Sequence, residues 1–155
     1  MLNAMYLPQA FGTVTSYWEG HQDLLGEEPA ITLDDPDWPV LTHGPAPRGA
    51  AQIVRGATIE DSLVASGARV AGTVQRSVIG RGAVIEAGAV VKASVVLPGA
   101  VVRAGATVTR AVLDDRVEIC GDATVGEEGG DIALVGLRAS VTGTVPGGGR
   151  FPELD

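Results

Sequence analysis

Residues 74–113, VQRSVIGRGAVIEAGAVVKASVVLPGAVVRAGATVTRAVL, decide the fold of this chain. A six-residue motif returns within and just before this stretch, with starts separated by 15, 17 and 17 residues. The copies occupy residues 59–64, 74–79, 91–96 and 108–113. An internal repeat must be recognised before any other pattern, because it determines the whole architecture.

The 17-residue period predicts one coil of a parallel β-solenoid. It is too short for a repeat that contains a helix, but it fits three short strands joined by tight turns, and each coil then rises by about 4.8 Å. We expect four to five coils over residues 53–145, with an insertion at 127–131 before a last copy at 133–136. Coils come in runs because one coil cannot bury a core alone.

The side chains of the repeat indicate a narrow interior. One aliphatic residue per side would point into the prism, where Val, Ile and Leu fit, and Ala or Gly would fill the crowded corners. Aromatic rings are too wide for such an interior, which explains why none occurs in the coils. The aromatic residues are Tyr6, Phe11, Tyr17, Trp18, Trp38 and Phe151.

Residues 1–52 are predicted to form a linker with a short amphipathic helix near 13–25. Thr13 is a suitable N-cap and Gly26 a suitable stop. The prolines between residues 27 and 48 favour an extended connector, and the glycine-rich segment 146–155 is predicted to be a flexible tail. The apolar face of the helix comprises Val14, Tyr17, Trp18, His21, Leu24 and Leu25.

Composition excludes several classes of partner and site. The net charge of −8 argues against nucleic acid and anionic membranes, which require a basic surface. No apolar run reaches the length of a membrane span and no signal-peptide pattern opens the chain, so we expect a soluble, cytoplasmic protein. Cys120 is the single cysteine, which argues against a disulfide or structural zinc, and we expect no cofactor.

Two motifs ahead of the coils carry a family resemblance. The segments 12–19 (GTVTSYWE) and 35–42 (DPDWPVLT), followed by the coils, resemble the C-terminal region of bacterial glucose-1-phosphate adenylyltransferase, also called ADP-glucose pyrophosphorylase, a sugar nucleotidyltransferase. The resemblance spans about residues 6–145. It implies an all-β, left-handed parallel β-helix of hexapeptide repeats, whereas the general rule for parallel crossovers would favour the right hand.

The resemblance also implies which functions belong to this region. In the family, a nucleotide-binding domain with a Gly-rich loop performs catalysis, and the β-helix serves oligomerisation and allosteric control. The run 147–149 is not bracketed by a strand and a helix as a phosphate-binding loop requires. The family's acidic residue before the linker helix falls on Ala10, followed by Phe11. We therefore predict a non-catalytic oligomerisation or regulatory domain, whose partner is another copy or a nucleotidyltransferase catalytic subunit.

Two other functions remain open at the level of sequence. The chain is alternatively a fragment of a full nucleotidyltransferase, which converts ATP and glucose 1-phosphate to ADP-glucose and pyrophosphate. A hexapeptide acyltransferase is the other alternative, but that chemistry requires a histidine on the coils as general base. His21 and His43 are the two histidines, and both precede the coils.

Basic residues near the ends of successive coils are candidate effector contacts. Arg76, Lys92 and Arg110 are predicted to form a ladder for an anionic effector such as a sugar phosphate. The alternative interpretation is a solvated turn with paired charges, because Glu60 and Asp61 lie on a neighbouring coil.

Other polar and aromatic residues have simpler structural interpretations. Glu86 and Arg103 are predicted to form an exposed ion pair between coils. The carboxylates at 114–115 are expected to make turn hydrogen bonds instead of a catalytic pair. Trp18 and Trp38 are expected to pack the linker helix against the first coil.

Overall fold

The repeat winds into a solenoid with three parallel sheets, each of six strands. This description rests on a computed structural model that describes residues 12–33, 35–39 and 49–153. The predictions that concern Ala10, Phe11 and His43 fall outside these residues. Every described strand pairs in parallel with the strand one coil away, so the predicted all-β parallel solenoid is confirmed. Its left hand stays an expectation from the resemblance.

The strands follow the chain in triplets, and each triplet makes one coil. Coils 1 to 3 contain β1 (Gln52–Ile53), β2 (Thr58–Glu60), β3 (Leu63–Val64), β4 (Arg69–Val70), β5 (Thr73–Gln75), β6 (Val78–Ile79), β7 (Val84–Ile85), β8 (Val90–Lys92) and β9 (Val95–Val96). Coils 4 to 6 contain β10 (Val101–Val102), β11 (Thr107–Thr109), β12 (Ala111–Leu113), β13 (Glu118–Ile119), β14 (Thr124–Val125), β15 (Ala133–Val135), β16 (Ser140–Val141), β17 (Thr144–Val145) and β18 (Arg150–Phe151).

The interior of the prism is a stack of aliphatic side chains in register. In the third sheet Ile79 pairs with Val96, Val96 with Leu113, and Leu113 with Val135, and all four are fully buried. The same alternation occurs in the other two sheets, because residues on one side of a strand point inward and their neighbours point outward. The predicted aliphatic interior is thus present through most of the prism. In coil 6, however, the partly buried Phe151 packs against it, so the expectation that no aromatic ring fits is wrong there.

The solenoid is longer than the four to five coils that the repeats predict. Six coils are present because the chain continues to pair where the motif is no longer recognisable. In particular, β18 lies in the predicted flexible tail, where Arg150 pairs with Leu134 and Phe151 with Val135. The glycines before it form a turn that is fixed by a hydrogen bond from the Gly149 N–H to the Pro146 oxygen (2.9 Å). Pairing with β15 therefore orders a segment whose composition alone favours flexibility.

A ladder of serine hydroxyls runs along one corner of coils 1 to 3. Ser77 and Ser94 are the fully buried polar residues of the described chain. Each hydroxyl donates to a carbonyl of its own coil and accepts the N–H of the next coil. The Ser94 hydroxyl donates to the Lys92 oxygen (2.7 Å) and accepts from the Ala111 N–H (3.1 Å). Ser77 and Ser62 make the equivalent bonds one and two coils earlier, respectively.

Replacing Ser94 with alanine is expected to lower the free energy of unfolding by about 1–3 kcal/mol, because it leaves the buried Ala111 N–H without a partner. Urea denaturation followed by circular dichroism would measure this change. Ser140→Ala is the matched control, since Ser140 is exposed and its hydroxyl lies 3.4 Å from the Cys120 sulfur. Equal effects of the two substitutions would show that the ladder contributes nothing.

The predicted linker helix is present and shorter than expected. Helix α1 spans Val14–Gln22, and the Thr13 hydroxyl accepts the Ser16 N–H (3.1 Å) as the predicted N-cap. The prediction extended it to residue 25, but the N–H groups of Leu24 and Leu25 bond three residues back (3.2 and 3.1 Å), so the last part is a tighter turn that leads to Gly26. No helix in the described ranges is long and apolar enough to span a membrane.

Candidate functional site

The outer face of the third sheet carries an apolar column that α1 covers. Val95 in coil 3 and Val112 in coil 4 are in register, and both are buried although they point away from the prism. They form a cluster separate from the interior, and we call this cluster the helix-docking face. Its members are Val95, Val112, Ile132, Val14, Tyr17, Trp18, Leu97 and Leu134.

Trp18 is the central contact between α1 and the solenoid. Its indole N–H donates to the Ala93 oxygen (2.6 Å), and the guanidinium carbon of Arg110 lies 4.7 Å from the centre of its ring. The prediction placed Trp18 and Trp38 against the first coil. Instead, Trp18 contacts the docking face of coils 3 to 5, and Trp38 is 67% exposed. The apolar column that receives the helix is recognisable only after the outward-facing residues of successive coils are aligned.

The three predicted effector contacts do not form one column. Arg76 and Arg110 occupy equivalent corners with φ of 46° and 47°. The register pairs Lys92 with Gln75 and Thr109, so Lys92 lies one position away, on the sheet. The reason is that the basic residue is the third residue of the motif copy at 74–79 but the second residue of the copy at 91–96.

The surroundings of these three residues also differ. Arg76 faces Asp61 of coil 1 at 3.9 Å, which agrees with the alternative interpretation of paired charges at a turn. Arg110 donates from Nε to the Gly130 oxygen (2.8 Å) and covers Trp18, so it belongs to the contact between α1, coil 4 and the insertion. Lys92 is exposed.

The predicted Glu86–Arg103 pair is present and is extended by a third residue. Arg103 bonds Glu86 through Nη1 and Glu118 through Nε, both at 2.8 Å, and the Ala104 N–H also donates to Glu86 (2.9 Å). The hydrogen bond from Arg103 is the main cause that lowers the pKa of Glu86. Glu118 was not predicted, although its strand neighbour Val101 stands two residues before Arg103. All three side chains are partly exposed, which fits a structural role.

An open cleft lies beside the N-terminal end of α1. It has a volume of about 540 Å³, and both apolar residues and the polar residues Tyr17, Asp114 and Arg150 line it. Burial, followed by the charges of Asp114 and Asp115, raises the pKa of Tyr17. Asp114 accepts the Asp115 N–H (2.7 Å), as predicted for a turn. The lining residues are Gly12, Thr13, Val14, Tyr17, Leu97, Val112, Asp114, Leu134 and Arg150.

Other residues with reactive side chains have local partners. His21 Nδ1 lies 2.9 Å from the backbone oxygen of Tyr17, so this histidine makes a contact within α1. Cys120 follows β13 at a corner and is partly buried, with its sulfur 3.4 Å from the Ser140 hydroxyl. Among residues 12–33, 35–39 and 49–153, no group of three or more His, Cys, Asp or Glu side chains is placed to hold a metal ion.

The comparisons with known proteins match this chain to a hexapeptide family and to part of several glucose-1-phosphate adenylyltransferases. Residues 45–133, more than half of the chain, match the family described as "GlmU-like, C-terminal hexapeptide". The glucose-1-phosphate adenylyltransferase of Cutibacterium acnes is 37% identical over 116 residues, which is 74% of this chain and 28% of that enzyme.

Two further relatives show the same partial coverage. The glucose-1-phosphate adenylyltransferase of Corynebacterium jeikeium is 34% identical over 74% of this chain and 29% of its own length. That of Streptomyces coelicolor is 38% identical over 50% of this chain and 19% of its own length. The chain thus matches less than a third of each of these relatives.

Proposed function

Because the chain belongs to the GlmU-like, C-terminal hexapeptide family, we propose that it is a non-catalytic oligomerisation and regulatory domain related to glucose-1-phosphate adenylyltransferase. The chain spans 19–29% of the length of those enzymes. We place it in the cytoplasm, in the control of glycogen biosynthesis. Its partner is a second copy or a separately encoded nucleotidyltransferase subunit.

The observation that carries this proposal is the open edge at each end of the solenoid. Within residues 12–33, 35–39 and 49–153, the strands β1, β2 and β3 of coil 1 each pair on one side only, and the same holds for β16, β17 and β18 in coil 6. Unpaired strand edges offer free N–H and C=O groups to another chain. Apolar side chains accompany these edges: Ile53 is 55% exposed at coil 1, and Leu137, just before β16, is 59% exposed.

Assembly is expected to depend on the apolar edge of coil 1. Ile53→Lys places a charge beside the unpaired strand, so we expect the dissociation constant of the assembly, obtained from the assembled fraction, to rise about tenfold, which corresponds to about 1.4 kcal/mol. Native mass spectrometry of the purified full chain would measure this fraction. Ile31→Lys is the matched control, because Ile31 is also exposed (48%) but lies in the linker.

A tagged pull-down from the source cells would identify the partner. A stoichiometric nucleotidyltransferase subunit would establish a regulatory subunit, whereas a homo-oligomer alone would indicate a self-contained scaffold. A monomer that captures neither would overturn the proposal. Reading the codons upstream of Met1 for an in-frame Gly-rich nucleotide loop would test the alternative of a fragment.

An anionic effector such as a sugar phosphate remains part of the regulatory proposal. The exposed side chains of Arg76 and Lys92 favour it, while the contacts of Arg110 with Trp18 and Gly130 oppose a direct role for that residue. Native mass spectra recorded with and without glucose 1-phosphate would show whether an adduct forms and whether the assembly changes.

A further inference from the structure

Two apolar clusters of this chain are physically separate. The prism interior consists of inward-pointing residues of the coils and includes no residue of α1. The helix-docking face consists of outward-pointing residues, with Val95, Val112 and Ile132 as its buried members. Because no side chain of α1 fills the prism, the solenoid keeps its entire interior whether α1 is in place or not.

The insertion in coil 5 supplies a second wall for the helix. Residues 126–132 lengthen this coil between β14 and β15, and they bring Ile132 (7% exposed) into the helix-docking face. They also place the Gly130 oxygen where it accepts the Nε proton of Arg110 (2.8 Å).

Arg110 joins the insertion to the helix. Its guanidinium bonds the insertion on one side and covers the Trp18 ring at 4.7 Å on the other. Trp18 in turn donates to the Ala93 oxygen of coil 3 (2.6 Å). Arg76 stands at the equivalent corner of coil 2 and faces the exposed Asp61 at 3.9 Å. Of the equivalent corners, those of coils 3 and 4, at Ala93 and Arg110, thus contact the helix.

We infer that α1 is a releasable strap, which docks on and leaves the folded solenoid as a unit, and that Arg110 and the coil-5 insertion hold it in the docked state. Docking places Tyr17 and Trp18 on the helix-docking face of coils 3 to 5. After release, the chain beyond Gly26 still connects α1 to the solenoid. The Gly26 N–H donates to the Asp61 carboxylate of coil 1 (2.7 Å). The strap therefore controls whether the helix-docking face is covered. The inference depends on the folded chain alone and not on the proposed assembly.

Hydrogen exchange of the full chain tests the strap. Arg110→Ala removes the cation–π contact with Trp18, which exists in the docked state only, so we expect the amides of α1 to exchange about tenfold faster. The amides of β9 and β12 should keep their rates. Arg76→Ala, at the equivalent corner, should leave α1 within about twofold of the unchanged protein.

Three outcomes would overturn the inference. The first is equal acceleration in α1 and in the strands of coils 3 and 4, which would mean that the helix opens only with the solenoid. The second is no acceleration in α1, and the third is the same effect from Arg76→Ala.

A measurement on the unchanged chain covers the case in which Arg110→Ala does not fold. Exchange at low urea concentrations should show α1 opening at lower free energy, and with a smaller dependence on urea, than β9 and β12. A single common opening for helix and strands would contradict the strap.

Discussion

Leu113→Ala is expected to lower the free energy of unfolding by about 2–5 kcal/mol, among the largest effects of any single substitution in the coils. Leu113 is fully buried in the prism and stacks in register between Val96 and Val135. The strands above and below are fixed at the spacing of a β-sheet, so they cannot close the cavity that alanine would leave.

Urea denaturation followed by circular dichroism would measure the loss. Leu33→Ala serves as the control, because Leu33 is 54% exposed and its truncation should change stability by at most about 0.5 kcal/mol. Similar losses for Leu113→Ala and Leu33→Ala would contradict a tightly packed prism.

Gly72→Ala is expected to cost about 3 kcal/mol because there is no space for a methyl group. Gly72 lies in the short corner between β4 and β5, under the longer corner of coil 3 between β7 and β8. A Cβ atom at this position would lie 2.5 Å from the Ala89 oxygen and 2.6 Å from the Glu86 oxygen. Both contacts are with backbone, which cannot rotate away.

Gly143 provides a matched control for this substitution. It immediately precedes Thr144, and Gly72 immediately precedes Thr73, so the two glycines occupy equivalent positions in coils 6 and 2. No atom lies within 4 Å of a Cβ built on Gly143, which lies in the last coil of the described residues. Gly143→Ala should therefore be tolerated, and thermal unfolding of both variants would compare them. Equal tolerance would show that the corner of coil 3 is not close to Gly72.

Much of the solenoid could be predicted because the same strand pairing and the same inward packing recur from coil to coil. The motif copies define which residues share a register, and the register then fixes which side chains point inward. The contact between Glu86 and Arg103 followed from the same reasoning, since equivalent residues of neighbouring coils lie one strand spacing apart. The ends were harder, because a coil can pair through its backbone after its side chains have diverged from the motif. For this reason β18 was predicted as part of a flexible tail.

The helix-docking face could be predicted only in part. The amphipathic pattern of α1 required an apolar partner, but it did not say which of three sheet faces that partner would be. Val95 and Val112 look like ordinary coil residues in the sequence, and only their outward direction makes them a surface. Arg110 was interpreted as an effector contact because its spacing matched Arg76. Its contact with Trp18 joins residues distant in sequence, and no local pattern predicts such a pair.

The corners of the solenoid differ in length from coil to coil, but the distance between neighbouring coils stays constant. Thr58 and Thr73, Val91 and Val108, and Ala111 and Ala133 are each in register across one strand spacing, although 15, 17 and 22 residues separate them. Distance along the axis is therefore counted in coils and not in residues. Gain or loss of one coil would move the two end surfaces by one step of about 4.8 Å, whereas an insertion at a corner would leave their separation unchanged. An assembly that contacts both end surfaces would therefore accept only solenoids whose lengths differ by whole coils.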